Sequence, residues 1–143
     1  MVLTEDLLEQ IIDDIHMLNI EADRIIVTGS VALCVYGLKK EFHDVDIIVV
    51  NPTKGCWADL LCEYETKSND NYSIIKAKHP NYDIDIFRES FSDEHPITRI
   101  DLDGEIWLST LDCIIKAKKS LNRDKDHSDF EAMQKELRDL IES

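Results

Sequence analysis

RIIVTGSVALCVYGLKKEFHDVDIIVV, residues 24–50, is the stretch on which the reading of the fold turns. Arg24 to Thr28 is a short β-branched run ended by Gly29, which predicts a strand and a turn. Val31 to Leu38 is apolar almost throughout and predicts a short buried helix that stops at Gly37. Lys39 to His43 is a polar connection. Asp44 to Val50 alternates and then becomes continuously apolar, the pattern of a central strand buried on both faces.

Working outward, Leu3, Leu7, Leu8, Ile11, Ile12, Ile15 and Leu18 recur at helical spacing behind Thr4, a candidate N-cap. On the other side Pro52 closes the central strand, and Cys56 to Tyr64 predicts a short helix. Tyr72 to Ala77 and Tyr82 to Phe87 are strand-like runs separated by the turn His79-Pro80-Asn81. Ile97 to Leu102 and Glu105 to Leu108 flank Asp103-Gly104, a tight-hairpin dipeptide. Thr110 to Leu121 and Asp126 to Ile141 complete the chain as two C-terminal helices. The expectation is one α/β or α+β domain over residues 1–143, with a mixed sheet flanked by helices.

Composition narrows the classes. The longest apolar runs, such as Ile47 to Val50, fall far short of the about 20 residues a membrane helix needs. Met1 to Asp6 lacks the basic start and apolar stretch of a signal peptide. The four cysteines, at 34, 56, 62 and 113, lie in apolar segments without CxxC spacing. A Cys56–Cys62 pairing is conceivable, but buried free thiols and a reduced cytoplasmic setting are the expectation. A net charge of −14 opposes broad nucleic-acid binding, because phosphate backbones are repelled. Lys116, Lys118, Lys119, Arg123 and Lys125 nevertheless crowd one segment. That cluster is either a helix C-terminus complementing its dipole or a local anion site.

Three features carry chemistry. In a strand, Asp44 and Asp46 project to one face, and two such carboxylates repel unless a cation lies between them. Paired carboxylates suit Mg²⁺, which takes hard oxygen ligands and leaves room for water and phosphate oxygens. The alternative is a solvent-facing acidic edge, which the buried-looking Ile47 to Val50 run argues against. Gly29-Ser30 stands between strand and helix, where backbone amides and a hydroxyl can cradle phosphate; a plain turn and N-cap is the simpler reading. Finally, Tyr82-Asp83-Ile84-Asp85-Ile86-Phe87 alternates again, so Asp83 and Asp85 share a face. On a neighbouring strand one of them can supply a third carboxylate, binding metal and accepting a proton.

Taken in this order, Gly29-Ser30, a short helix and Asp44-Val45-Asp46 resemble the signature of the DNA polymerase β-like nucleotidyltransferase superfamily. The string GSVALCVYGLKKEFHDVDIIV is most similar to its minimal branch, the abortive-infection toxin and antibiotic-resistance type, through Ala32-Leu33, Tyr36-Gly37, Lys39-Lys40 and the Asp-x-Asp strand. A second stretch, LDCIIKAKKSLNRDKDHSDFEAM from Leu111, is similar to that branch's C-terminal pattern through Lys118, Arg123, Lys125-Asp126 and Asp129. Two positions depart from the pattern. His43 stands where Ser or Thr is more usual, and Lys39 or Lys40 stands where Arg is common.

The resemblance implies the nucleotidyltransferase fold and transfer of a nucleoside monophosphate from an NTP to an acceptor, releasing pyrophosphate. Asp44, Asp46 and Asp85 would hold two Mg²⁺ ions, with Asp85 preferred over Asp83 because Ile84-Asp85-Ile86-Phe87 better fits an apolar-Asp-apolar-apolar core. Gly29 and Ser30 would grip the β- and γ-phosphates, and Lys118 and Arg123 would offset the remaining phosphate charge. The acceptor is a tRNA end, a protein side chain or a small molecule. Minimal domains of this kind often work as dimers or with a partner protein, as toxin or antitoxin. The alternative is a binding or interaction module that kept the fold and lost the chemistry.

The remaining candidates are bland. His16, His79, His95 and His127 show no metal spacing with the cysteines, and Trp57 and Trp107 read as core or interface residues.

Overall fold

The computed structural model describes residues 1–68, 73–89, 100–103, 106–111, 113–115, 131 and 135. Helix α1 (Glu5–Met17) begins where Thr4 Oγ1 accepts the Leu7 N–H at 3.1 Å, with Glu5 and Asp6 complementing the positive end of the helix. It buries Ile11 and Ile15, and the chain turns away through Asn19 at φ 52°. Strand β1 (Arg24–Thr28) leads directly into α2 (Gly29–Val35), and β2 (Val45–Val50) follows. Then come α3 (Lys54–Glu63), β3 (Glu65–Ser68), β4 (Ser73–Lys78), β5 (Asp83–Glu89), β6 (Ile100–Asp103) and β7 (Ile106–Leu108).

The strands form one mixed seven-stranded sheet in the order β3-β4-β5-β2-β1-β7-β6. The pairs β2–β5 and β1–β7 are parallel, and the other neighbours are antiparallel. Strand alternation decides the layers. Val45, Ile47 and Val49 of β2, Ile84 and Ile86 of β5, and Val27 of β1 are all buried on one face. There they join Ile11 and Ile15 of α1 and Val31, Ala32 and Leu33 of α2 in the main apolar cluster. Pairing such faces removes most of their apolar area from water, at about 25 cal/mol per Å². Phe42, also fully buried, is fixed through its backbone: its N–H donates to Met1 O at 2.9 Å and its carbonyl accepts from the Met1 amino group at 2.8 Å.

The mixed sheet flanked by helices follows the expectation, with several adjustments. Helix α2 spans Gly29–Val35 and not Val31 to Leu38, so Gly29 and Ser30 open the helix behind Thr28 and are not a separate turn before it. Strand β2 starts at Val45, so Asp44 stands just outside it in a bend. Helix α3 starts at Lys54, ahead of the apolar pattern, because Thr53 Oγ1 accepts the Cys56 N–H at 3.2 Å. Strand β3 was not foreseen. Its sequence Glu-Thr-Lys-Ser carries no apolar alternation, which suits an edge strand paired, among the described residues, with β4 alone. The cysteines are free, but none is buried: Cys62 is exposed and the others are half-buried.

Strands β6 and β7 bracket the expected hairpin, with Asp103 opposite Ile106; Gly104 lies outside the described residues. Of the two expected C-terminal helices, residues 111, 113–115, 131 and 135 are described and helical, with the Ile114 N–H donating to Thr110 O at 3.1 Å. The rest of both segments lies outside the described residues. Among the described residues no helix is long and apolar enough to cross a membrane.

Candidate carboxylate site

The pairing register builds a row of polar side chains across four strands. Thr28 of β1 is paired with Asp46 of β2, Asp46 with Asp85 of β5, and Asp85 with Lys76 of β4. Residues paired across a sheet project from the same face, so these side chains stand side by side opposite the main apolar cluster. Asp83, two residues from Asp85, lies on that face as well. The neighbour relation expected between the two acidic strands is therefore present, and the acid beside Asp46 is Asp85, whereas Asp83 sits beyond the start of β2.

Asp85 is 8% exposed. Its Oδ1 atom is buried and lies 3.0 Å from Lys76 Nζ, in an ion pair. Lys76 Nζ also lies 3.7 Å from Asp83 Oδ2. Burial alone would lower the Lys76 pKa. The hydrogen-bonding and charge of Asp85, followed by the charges of Asp44 and Asp83, outweigh burial and hold it above the ordinary value. Lys76 therefore stays protonated among these acids.

Gly29 has a direct structural role. It sits at φ +66°, and a Cβ built there would fall 2.3 Å from Asp46 Oδ2. The Asp46 carboxylate thus occupies the space that a side chain at position 29 would need. Beside it, Lys39 Nζ donates to Ser30 Oγ at 3.0 Å. The Phe42 anchor steers the connection between Lys39 and Asp44 back toward the start of β2.

The structure thus gathers Gly29, Ser30, Asp46 and Asp85 at one end of the sheet. Asp44 stands at the mouth of β2, near enough for its charge to act on Lys76. The acids do not converge on one point: among the described residues no three His, Cys, Asp or Glu side chains form a ready cation site. Lys118 and Arg123 lie outside the described residues. Trp107 and Trp57 pack beneath guanidinium groups, Arg24 at 4.0 Å and Arg88 at 5.5 Å from the ring centroids, in keeping with structural roles. His79 lies 3.1 Å from Asp14 and stacks on Tyr82 with centroids 4.5 Å apart.

Lys76 is the residue that sequence reasoning overlooked. The signal was available: folding Ser73 to Lys78 back on Asp83 to Glu89 about the His79-Pro80-Asn81 turn sets Lys78 against Asp83 and Lys76 against Asp85. No known family pattern and no characterised protein sequence matches the chain.

Proposed function

We propose that the chain is a metal-dependent nucleotidyltransferase that moves a nucleoside monophosphate from an NTP to an acceptor, with release of pyrophosphate. The observation that carries this reading is the in-register pair Asp46–Asp85 beside Gly29-Ser30. It matches what the sequence resemblance to the polymerase β-like superfamily asks of those positions.

Carboxylate oxygens are the donors a hard divalent cation takes. Here Asp46 and Asp85 supply them from paired strands, with the buried Asp85 Oδ1 beside the Lys76 ammonium. Asp46 and Asp85, with Asp44 at the strand mouth, would hold Mg²⁺. Bound there, Mg²⁺ supplies charge neutralisation for a triphosphate and for the transition state of an in-line displacement.

The chain's own groups do the rest. Gly29 leaves room for the Asp46 carboxylate to lie against its backbone, and Ser30 Oγ with Lys39 Nζ would offer polar contacts to phosphate oxygens. Asp85 would bind the cation and accept a proton from an attacking hydroxyl. Lys118 and Arg123 are the expected further phosphate contacts. A tRNA end, a protein side chain and a small molecule each remain in the acceptor class.

A second reading, a catalytically silent interaction module of the same fold, is favoured by one observation: the Lys76 ammonium already pairs with the third acid. Incubation with Mg²⁺ and each labelled NTP, with a tRNA pool, cell extract or aminoglycosides as acceptors, separates the two. Label transfer that disappears in Asp44→Ala and Asp46→Ala supports the enzyme. Mg²⁺-dependent NTP binding without transfer supports the silent module, and neither binding nor transfer sinks both.

A further inference from the structure

We propose that Lys76 is a displaceable counter-ion that sets the cation affinity of the carboxylate site, resting on Asp85 and moving to Asp83 when a divalent cation takes Asp85. The inference rests on reading Asp85 as a cation ligand, and it adds a regulator to that site.

Three observations carry it. Lys76 Nζ is 3.0 Å from Asp85 Oδ1, so the ammonium and a divalent cation compete for one carboxylate and would repel each other across it. A second berth is already within ion-pair distance, Asp83 Oδ2 at 3.7 Å. Asp83 is also the more solvated of the two acids, with 32% side-chain exposure against 11% for Asp85. Finally, the register partner of Asp83 does not claim it: Lys78 reaches to Glu65 on the edge strand, 4.0 Å away, and is 74% exposed. Lys76 already stands within ion-pair distance of both carboxylates, closer to Asp85, so a short shift toward Asp83 would free Asp85 without leaving the ammonium unpaired.

This division of labour separates the two acids of the Asp-Ile-Asp strand. Asp85 is the cation ligand and Asp83 is the alternative partner that makes its release cheap. With Lys76 in place the site keeps its acids neutralised, and cation binding becomes weaker than the same carboxylates would otherwise allow.

The test is a double-mutant cycle on the full chain, with Mn²⁺ alone as the probe and its free concentration read by electron paramagnetic resonance. Lys76→Met should tighten Mn²⁺ binding by about tenfold or more, the scale of losing one close competing charge. Asp83→Asn should weaken binding several-fold beyond a general charge effect when Lys76 is present. With Lys76→Met in the same chain, only the small general effect should remain. Unchanged or weaker binding in Lys76→Met overturns the proposal. Equal weakening by Asp83→Asn in both backgrounds also overturns it, and makes Asp83 a ligand in its own right. Absence of Mn²⁺ binding in all four proteins sinks the cation-site reading together with the proposal, whereas equal binding in all four sinks the Lys76 role alone. Far-UV circular dichroism checks each fold, and Lys76→Gln replaces Lys76→Met should the latter not fold.

Discussion

Replacing Gly29 by alanine puts a methyl group where the Asp46 carboxylate now lies. The added Cβ would stand 2.3 Å from Asp46 Oδ2, 3.1 Å from its Cγ and 3.3 Å from its Cβ. Ordinary carbon–oxygen contacts lie near 3.3 Å, so the carboxylate must retreat by about 1 Å or the turn must open. The backbone adds its own cost, since φ +66° disfavours an L-residue by about 1–2 kcal/mol. Gly37 supplies the control: it sits at φ +76° with nothing within 4 Å of a built Cβ, so Gly37→Ala should lose only that backbone term. Urea unfolding should therefore show about 1 kcal/mol lost in Gly37→Ala and about 2–4 kcal/mol in Gly29→Ala, the excess being overpacking. Combining Gly29→Ala with Asp46→Ala removes the two nearest atoms and should return about 1–2 kcal/mol as a coupling energy. Activity should fall further than stability, because a 1 Å misplacement near reacting groups costs about a hundredfold in rate. Equal destabilisation of the two glycine variants, or no coupling with Asp46, would refute the close approach.

Two further outcomes follow from side chains already described. Asp85→Ala should abolish nucleotidyl transfer while NTP still binds, as measured by label transfer and by equilibrium binding of the same NTP; retained turnover refutes the role of Asp85. Tyr82 is held above its ordinary pKa by burial first, then by its hydrogen bond to Asp14 and the Asp14 charge. The folded state therefore favours the neutral phenol, and that stabilisation is complete below the unfolded value near 10 and is lost as pH rises from there toward the folded value. Tyr82→Phe should cost about 1 kcal/mol at pH 8 and make the decline between pH 9 and 11 shallower. A decline as steep as in the parent protein refutes it.

The two strands between Arg24 and Val50 were legible because burial and alternation agree there: β1 runs Arg24–Thr28 as read and β2 departs by one residue. Helix α2, by contrast, starts two residues early and stops three early, at Gly29–Val35. The one-residue departure of β2 matters, since Asp44 lies outside the strand and its side chain is not oriented by the pleat. Register was less accessible. Alternation says which face Asp83 and Asp85 share, but only the pairing of β5 with β2 decides which of them meets Asp46. Lys76 went unnoticed because a lysine in a short strand looks like an ordinary solvent-facing residue until its partner strand is known. The polar edge strand β3 has no apolar period to read. The half-buried cysteines mislead in the opposite sense: Cys56 lies in an apolar run, yet its sulfur accepts the Glu21 N–H at 3.2 Å at the protein surface.

The sheet order has a consequence for how the site comes into being. Strands β3, β4 and β5 form a meander of local antiparallel pairings, whereas β2 and β5 are joined in parallel across α3 and the whole meander. Short-range pairings tend to close sooner than long-range ones, so folding is expected to bring Lys76 to Asp83 and Asp85 before Asp46. The two central carboxylates therefore face each other across a long-range junction between β2 and the meander, while the β1–β7 pairing spans a longer stretch of chain still. Loosening the β2–β5 junction would part Asp46 from Asp85 while leaving the hydrogen bonds on either side of it in place, so the chemistry of the site is tied to a single strand junction.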